Sequence, residues 1–155
     1  MKKLFAIAFT LLALVGCKST KPAIMEPASW LDGDRSSAVG DQTNSVNVVF
    51  FAYDSSTVSE EGKEKLKTQF EMWSASKTKP VLVVEGHADE RGTVEYNLAL
   101  GERRAHATKK ALEKLGMPAD KIETISYGKE RPAVMGNDEH SWSLNRRTVT
   151  IAVKN

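Results

Sequence analysis

Two hydrophobic periods alternate along this chain, one of about two residues and one of about 3.6. Residues 46–51, Val-Asn-Val-Val-Phe-Phe, are rich in β-branched and aromatic side chains and predict a strand. Ser59, followed by Glu60 and Glu61, reads as a helix N-cap with acids suited to the helix dipole. Leu66, Phe70 and Trp73 then fall on one helical face, and Lys79-Pro80 breaks the chain. Val81-Leu82-Val83-Val84 is the doubly apolar run of a central strand. A long helix is expected from Val94 to Leu115, stopped by Gly116 and Pro118. Residues 122–127 predict a third strand, 138–145 a short helix, and 147–153 an alternating closing strand. The order β-α-β-α-β-(α)-β predicts one domain over residues 46–155. Its fold class is α/β, a two-layer sandwich with helices on one face of a mixed sheet.

The N-terminal pattern differs. Met1-Lys2-Lys3 precedes a nearly continuous apolar run to Gly16, which ends at Cys17. A basic start, a short apolar core and a small-residue boundary describe a secretory signal peptide over residues 1–16. The run is shorter than the roughly 20 residues a membrane-spanning helix needs. Small residues directly before a cysteine also resemble a bacterial lipobox, in which the thiol is lipidated and the new amine acylated. Residues 18–45 shift to Ser, Pro, Asp, Gly and Ala without sustained periodicity, which predicts a flexible linker after Cys17. Such a coil averages about 26–32 Å end to end.

Composition sharpens this picture in two places. The chain has 155 residues and one cysteine, so an intramolecular disulfide and a cysteine zinc site are excluded. Its 22 basic and 20 acidic side chains give a formal +2. Removing residues 1–16 takes Lys2 and Lys3 with it, leaving 20 of each sign and no basic excess for nucleic acid.

Candidate chemistry concentrates in residues 85–93, Glu-Gly-His-Ala-Asp-Glu-Arg-Gly-Thr, which leave a strand and enter the long helix. Strand-to-helix connections expose unpaired amides at a positive dipole end, and Thr93 is a plausible N-cap. At about 100° per residue, Val94, Leu98, Gly101, Ala105, Thr108, Leu112 and Leu115 share an apolar half. Arg103 belongs to the solvated half, but Arg104 falls on the apolar side, nearly in line with Asn97. A guanidinium aimed at the core needs a partner. Two readings follow: a structural salt bridge with Asp89 or Glu90, or a site in which Asp89 and Arg104 each hold one end of a doubly charged ligand. No cofactor and no metal is expected, since His87 with Asp89 lacks further ligands from His106 or the distant His140. Arg146-Arg147 reads as a short solvated basic pair, too small a footprint for nucleic acid.

These residues, with Glu95-Tyr96-Asn97-Leu98-Ala99-Leu100-Gly101-Glu102-Arg103-Arg104-Ala105 behind them, resemble the OmpA-like peptidoglycan-binding domain family. Residues 126–134 and Asn145-Arg146-Arg147 fit the same pattern, so the resemblance spans roughly residues 48–153. It implies a non-enzymatic domain that binds the meso-diaminopimelate of peptidoglycan stem peptides. Asp89 would hold the ammonium and Arg104 the carboxylate. Asn97 and amides around Thr93 would assist, Phe51 would wall the pocket, and Leu98 would lie beneath it. With Cys17 lipidated, it further implies an outer-membrane lipoprotein facing the periplasm, membership of the Tol–Pal system, and TolB as a partner. Two departures stand out: Ala52 where an acid is frequent, leaving only its backbone as acceptor, and Val94 where proline is frequent. The competing expectation is a cell-wall-cleaving enzyme using Asp89, Glu90 and His87 as an acid-base set.

Overall fold

A computed structural model describes residues 46–153. The expected signal peptide, the lipidation site Cys17 and the linker to residue 45 lie outside the described residues.

Eight elements follow in order: β1 (Val48–Phe50), α1 (Glu60–Ala75), β2 (Val81–His87), α2 (Val94–Leu115), a 3-10 turn (Ala119–Lys121), β3 (Ile122–Gly128), α3 (Glu139–Asn145) and β4 (Arg147–Val153). The strands form one sheet in the order β1-β4-β2-β3. β4 runs antiparallel to both β1 and β2, while β2 and β3 are parallel, so the sheet is mixed as the element order predicts. β1 is shorter than the six-residue stretch 46–51 suggests. Its pairing with β4 ends at Phe50↔Arg147, and the chain then turns away to form a wall of the site.

Alternation along the strands decides which face is covered. Leu82 and Val84 of β2, Ile122 of β3, Ala152 of β4 and Val49 of β1 point to the helices and pack with Leu66, Trp73, Ala105 and Leu112. β4 inverts the usual assignment, because Thr148 and Thr150 are buried while Val149 and Ile151 are only half-buried. Thr148 is accommodated by a buried hydroxyl–hydroxyl bond of 3.0 Å to Thr108 of α2.

Capping residues set the helix limits. Ser59 accepts the Gly62 amide to start α1, and Thr93 accepts the Tyr96 amide to start α2. Gly116 ends α2 in the left-handed region at φ 109°. The rotation of α2 is set by a backbone contact. A Cβ on Gly86 would lie 1.9 Å from the Gly101 carbonyl oxygen, so the helix presses directly onto β2 there. Asn97, Leu100, Gly101, Arg104, Ala105, Thr108 and Leu112 consequently form the buried stripe.

That stripe corrects part of the expected apolar half. Val94, Leu98 and Leu115 are exposed. A helix of 22 residues spans about 33 Å, whereas strands of seven residues span about 23 Å, so both helix ends overhang the sheet. Leu98 fails for a different reason: it lies about 80° from the centre of the stripe, at the β3 margin. None of the helices among the described residues is long and apolar enough to cross a membrane.

Candidate functional site

The loop of residues 88–93 carries the site, and its backbone is held from three sides. The Ala88 amide donates to Gly128 O at 2.8 Å at the end of β3. Asn97 Nδ2 donates to Arg91 O at 2.7 Å and Thr93 O at 3.1 Å. Lys129 Nζ donates to Glu90 O at 3.1 Å and Gly92 O at 2.6 Å. Asn97 is therefore a buried organiser of the loop.

Asp89 and Arg104 line one recess of about 160 Å³, together with Tyr53, Asp54, Arg91, Gly92, Tyr96, Asn97 and Leu100. A larger groove, about 510 Å³, runs along the outer face of α2 past Glu102, Arg103, His106 and Lys110. It contains no buried charge, so the smaller recess is the better-defined site.

Arg104 is 0 % exposed and forms the floor of the recess. The expected salt bridge to Asp89 or Glu90 is absent. Nε donates to Ser55 O at 2.8 Å, Nη1 to His87 O at 2.8 Å and Nη2 to Ala52 O at 3.1 Å. The departure at Ala52 thus retains its acceptor through the backbone alone. Burial pulls the Arg104 guanidinium down to about 10, with the nearby Asp89 charge working against that shift, so it stays a cation at neutral pH.

Asp89 is buried, and its partners were not legible from its neighbours on the helix. Oδ1 accepts the Arg91 amide at 3.2 Å and Arg91 Nε at 3.1 Å. Oδ2 accepts Arg91 Nη2 at 2.6 Å and Arg146 Nη1 at 3.4 Å. Burial pushes the carboxyl up, but the hydrogen bonds from Arg91 and then Arg146 outweigh it and hold the group below the usual carboxylate range. Arg91 lies between two aromatic rings, 4.0 Å from the Tyr53 centroid and 4.0 Å from that of Trp142.

The basic pair at 146–147 is not solvated. Both arginines are buried. Arg146 donates to Asp89, to Phe51 O at 3.1 Å and to Glu139 at 2.6 Å. Arg147 is pulled down to about 10 by burial, opposed by Glu85.

The remaining expected site residues separate. Phe51 is buried under Arg104, whose guanidinium carbon lies 5.4 Å from the ring centroid, and Tyr53 supplies the aromatic wall of the recess instead. Leu98 is 46 % exposed and lies outside the recess, whereas Leu100 lines it. Thr93 is exposed at the helix N-cap beside Gly92. His87 does not join Asp89 and Glu90 in an acid-base set. Its ring is buried beside Tyr127 and within 3.8 Å of Glu85, while Glu90 accepts from Trp142 Nε1 at 3.1 Å. Sequence reasoning missed Arg91, Arg146, Tyr53, Trp142 and Lys129. Of these, Arg91, Lys129 and Arg146 lay within motifs already quoted, but nothing in their spacing indicated the carboxylate that the two arginines share.

A model of the OmpA family matches residues 50–146. The chain is 44 % identical over 151 residues to a peptidoglycan-associated lipoprotein of Agrobacterium fabrum, covering 94 % of this chain and 85 % of that one. It is 40 % identical over 148 residues to a protein of the same description from Haemophilus influenzae, covering 95 % of each. The crystal structure of the peptidoglycan-associated lipoprotein of Burkholderia pseudomallei superposes with a TM-score of 0.65 at 37 % identity, over 72 % of this chain and 96 % of that one. The C-terminal domain of Helicobacter pylori MotB shares the fold, with a TM-score of 0.64 at 16 % identity over 69 % of this chain and 83 % of that one.

Proposed function

The chain belongs to the OmpA family, and within it to the peptidoglycan-associated lipoproteins; on that premise we propose that its domain binds peptidoglycan non-covalently through the meso-diaminopimelate of uncrosslinked stem peptides. The observation that carries this reading is the placement of Asp89 and Arg104 in one recess. The ligand presents a free ammonium and a free carboxylate on one carbon, and the recess offers a carboxylate and a guanidinium. Arg104 uses one N–H on each nitrogen for backbone carbonyls. Of its five N–H groups, one on each terminal nitrogen is left for the ligand carboxylate. Asn97 and Gly92, the residue before Thr93, line the same space. Charge-assisted hydrogen bonds contribute about 1.5–3 kcal/mol each, which suits reversible gripping. A stem peptide lacking the carboxylate leaves the two remaining Arg104 N–H groups desolvated without compensation, which favours the doubly charged end group.

The rest of the reading concerns the whole chain. Removal of residues 1–16 leaves Cys17 as a lipidated N-terminus in the outer membrane, with residues 18–45 as a tether and the domain in the periplasm. The protein then links outer membrane to cell wall within the Tol–Pal system, with TolB competing for an overlapping surface during cell division.

Sedimentation with purified sacculi tests the site. Asp89→Asn and Arg104→Lys, each shown folded by circular dichroism, should lose co-sedimentation. Retention equal to wild type by both variants sinks the two-charge reading. For the anchor, Cys17→Ser should abolish detergent-phase partitioning.

A further inference from the structure

Asp89 has no capacity left for a ligand. An ionised carboxylate offers about four acceptor positions, and four donors already point at this one: the Arg91 amide, Arg91 Nε, Arg91 Nη2 and Arg146 Nη1. An incoming ammonium must therefore replace a donor. The Arg91 amide belongs to the loop backbone that Asn97 and Lys129 hold. Arg146 is 7 % exposed in its side chain and is tied to Phe51 O and Glu139 as well. The Arg91 side chain is different: it is 29 % exposed, and among the described residues Asp89 is the only group that accepts from its guanidinium. Two rings, Tyr53 and Trp142, sandwich it without hydrogen-bonding it.

We propose that Arg91 is a resident cation of this site, which the ligand ammonium displaces from Asp89, so that Arg91 with its two flanking rings sets the affinity and the cation selectivity of the recess. This inference rests on the diaminopimelate reading and adds a specificity-determining residue to it. Release of Arg91 frees one position on each Asp89 oxygen, which a three-donor ammonium can take. The displaced guanidinium carries its charge toward solvent, and its departure from Trp142 changes the environment of that indole. A ligand end that is weakly cationic cannot compete with a guanidinium held by bidentate bonds and two rings, so only a full positive charge opens Asp89.

Calorimetric titration of the full chain with a soluble stem tripeptide ending in meso-diaminopimelate decides the matter. Arg91→Ala should bind about tenfold more tightly than wild type, the factor that about 1.4 kcal/mol gives. Arg91→Gln, which keeps bulk without charge, should do the same, as should Trp142→Leu, which loosens the sandwich but keeps the cation. Ligand addition should also shift indole fluorescence in wild type, and that shift should vanish in Arg91→Ala. Wild-type binding that the Arg91 variants leave unchanged or weaken, with their melting curves intact, overturns the resident-cation role alone. Failure of wild type and every variant to bind the tripeptide overturns the diaminopimelate reading, and this inference with it.

Discussion

Arg104 Nη1 donates to the carbonyl oxygen of His87 at 2.8 Å, which ties the end of β2 to the middle of α2 inside the protein. The same guanidinium reaches across to Ser55 and Ala52. Three segments distant in sequence thus converge on one cation, and Arg104 supports the recess as well as lining it.

Truncating Arg104 should therefore destabilise the domain before any binding is measured. Arg104→Ala takes the guanidinium donor from the Ser55, His87 and Ala52 carbonyls, and each buried acceptor left unsatisfied costs about 1–3 kcal/mol. At about 4–8 °C per kcal/mol for a domain near 100 residues, thermal unfolding should fall by more than 10 °C. Arg104→Lys should recover part of that loss. An unaltered melting temperature for Arg104→Ala would remove the residue from the framework.

The two arginines on Asp89 should separate by burial. Arg146→Ala removes a buried cation bonded to Asp89, Glu139 and Phe51 O and should cost about 3–5 kcal/mol. Arg91→Ala removes a partly exposed one and should cost no more than about 1 kcal/mol. Chemical denaturation of the two variants side by side checks the order, and equal losses would contradict it.

Stability should also fall on mild acidification through His87. Burial pulls this imidazole below its ordinary value of 6.5, helped by the Arg147 charge and opposed by Glu85. The unfolded chain then binds the proton first, so the contribution is complete above about pH 6.5 and declines as pH drops below it. Urea midpoints measured between pH 7.5 and pH 5 should show this decline in wild type and a flatter profile in His87→Asn. Parallel profiles would exclude His87 as the source.

Much of this architecture was legible locally. Thr93 and Gly116 bracket α2 at Val94–Leu115 because caps are matters of adjacent backbone. Arg104 was readable as inward-facing from helical spacing alone. Its carbonyl partners were not, since Ala52 and Ser55 lie about 50 positions earlier in a loop without periodicity. The burial of Arg146 and Arg147 was equally hidden, because two adjacent arginines look solvated until Asp89, Glu139 and Phe51 close around the first and Arg131 O and Glu85 face the second. Leu98 was misjudged because the rotation of α2 depends on Gly86 meeting Gly101 across the layers, which no single-helix pattern contains.

That meeting of glycines makes its own prediction. A methyl group on Gly86 would overlap the Gly101 carbonyl, and the overlap is with backbone that cannot rotate aside. Gly86→Ala should cost about 3 kcal/mol or more and push α2 off the sheet, visible as loss of near-ultraviolet circular dichroism.

The Thr108–Thr148 hydroxyl bond should behave as a coupled pair. Thr108→Val alone strands a buried hydroxyl at about 1–3 kcal/mol, whereas replacing both with valine should come close to wild type. A double-mutant cycle in urea measures this, and additive losses would deny the coupling.

The entry of the chain into the sheet has a mechanical consequence. β1 is only three residues long, yet its leading end is pinned twice before the strand begins. Gln69 Nε2 holds Val46 O at 2.8 Å, and the Thr150 amide holds Asn47 O at 2.9 Å. A pull on the chain ahead of residue 46 is therefore taken up by α1 and β4 first. Only after those clamps fail does tension travel along β1 to Ala52 and Ser55, the carbonyls beneath the recess. The domain can carry load at its leading end while the floor of its site stays unstrained.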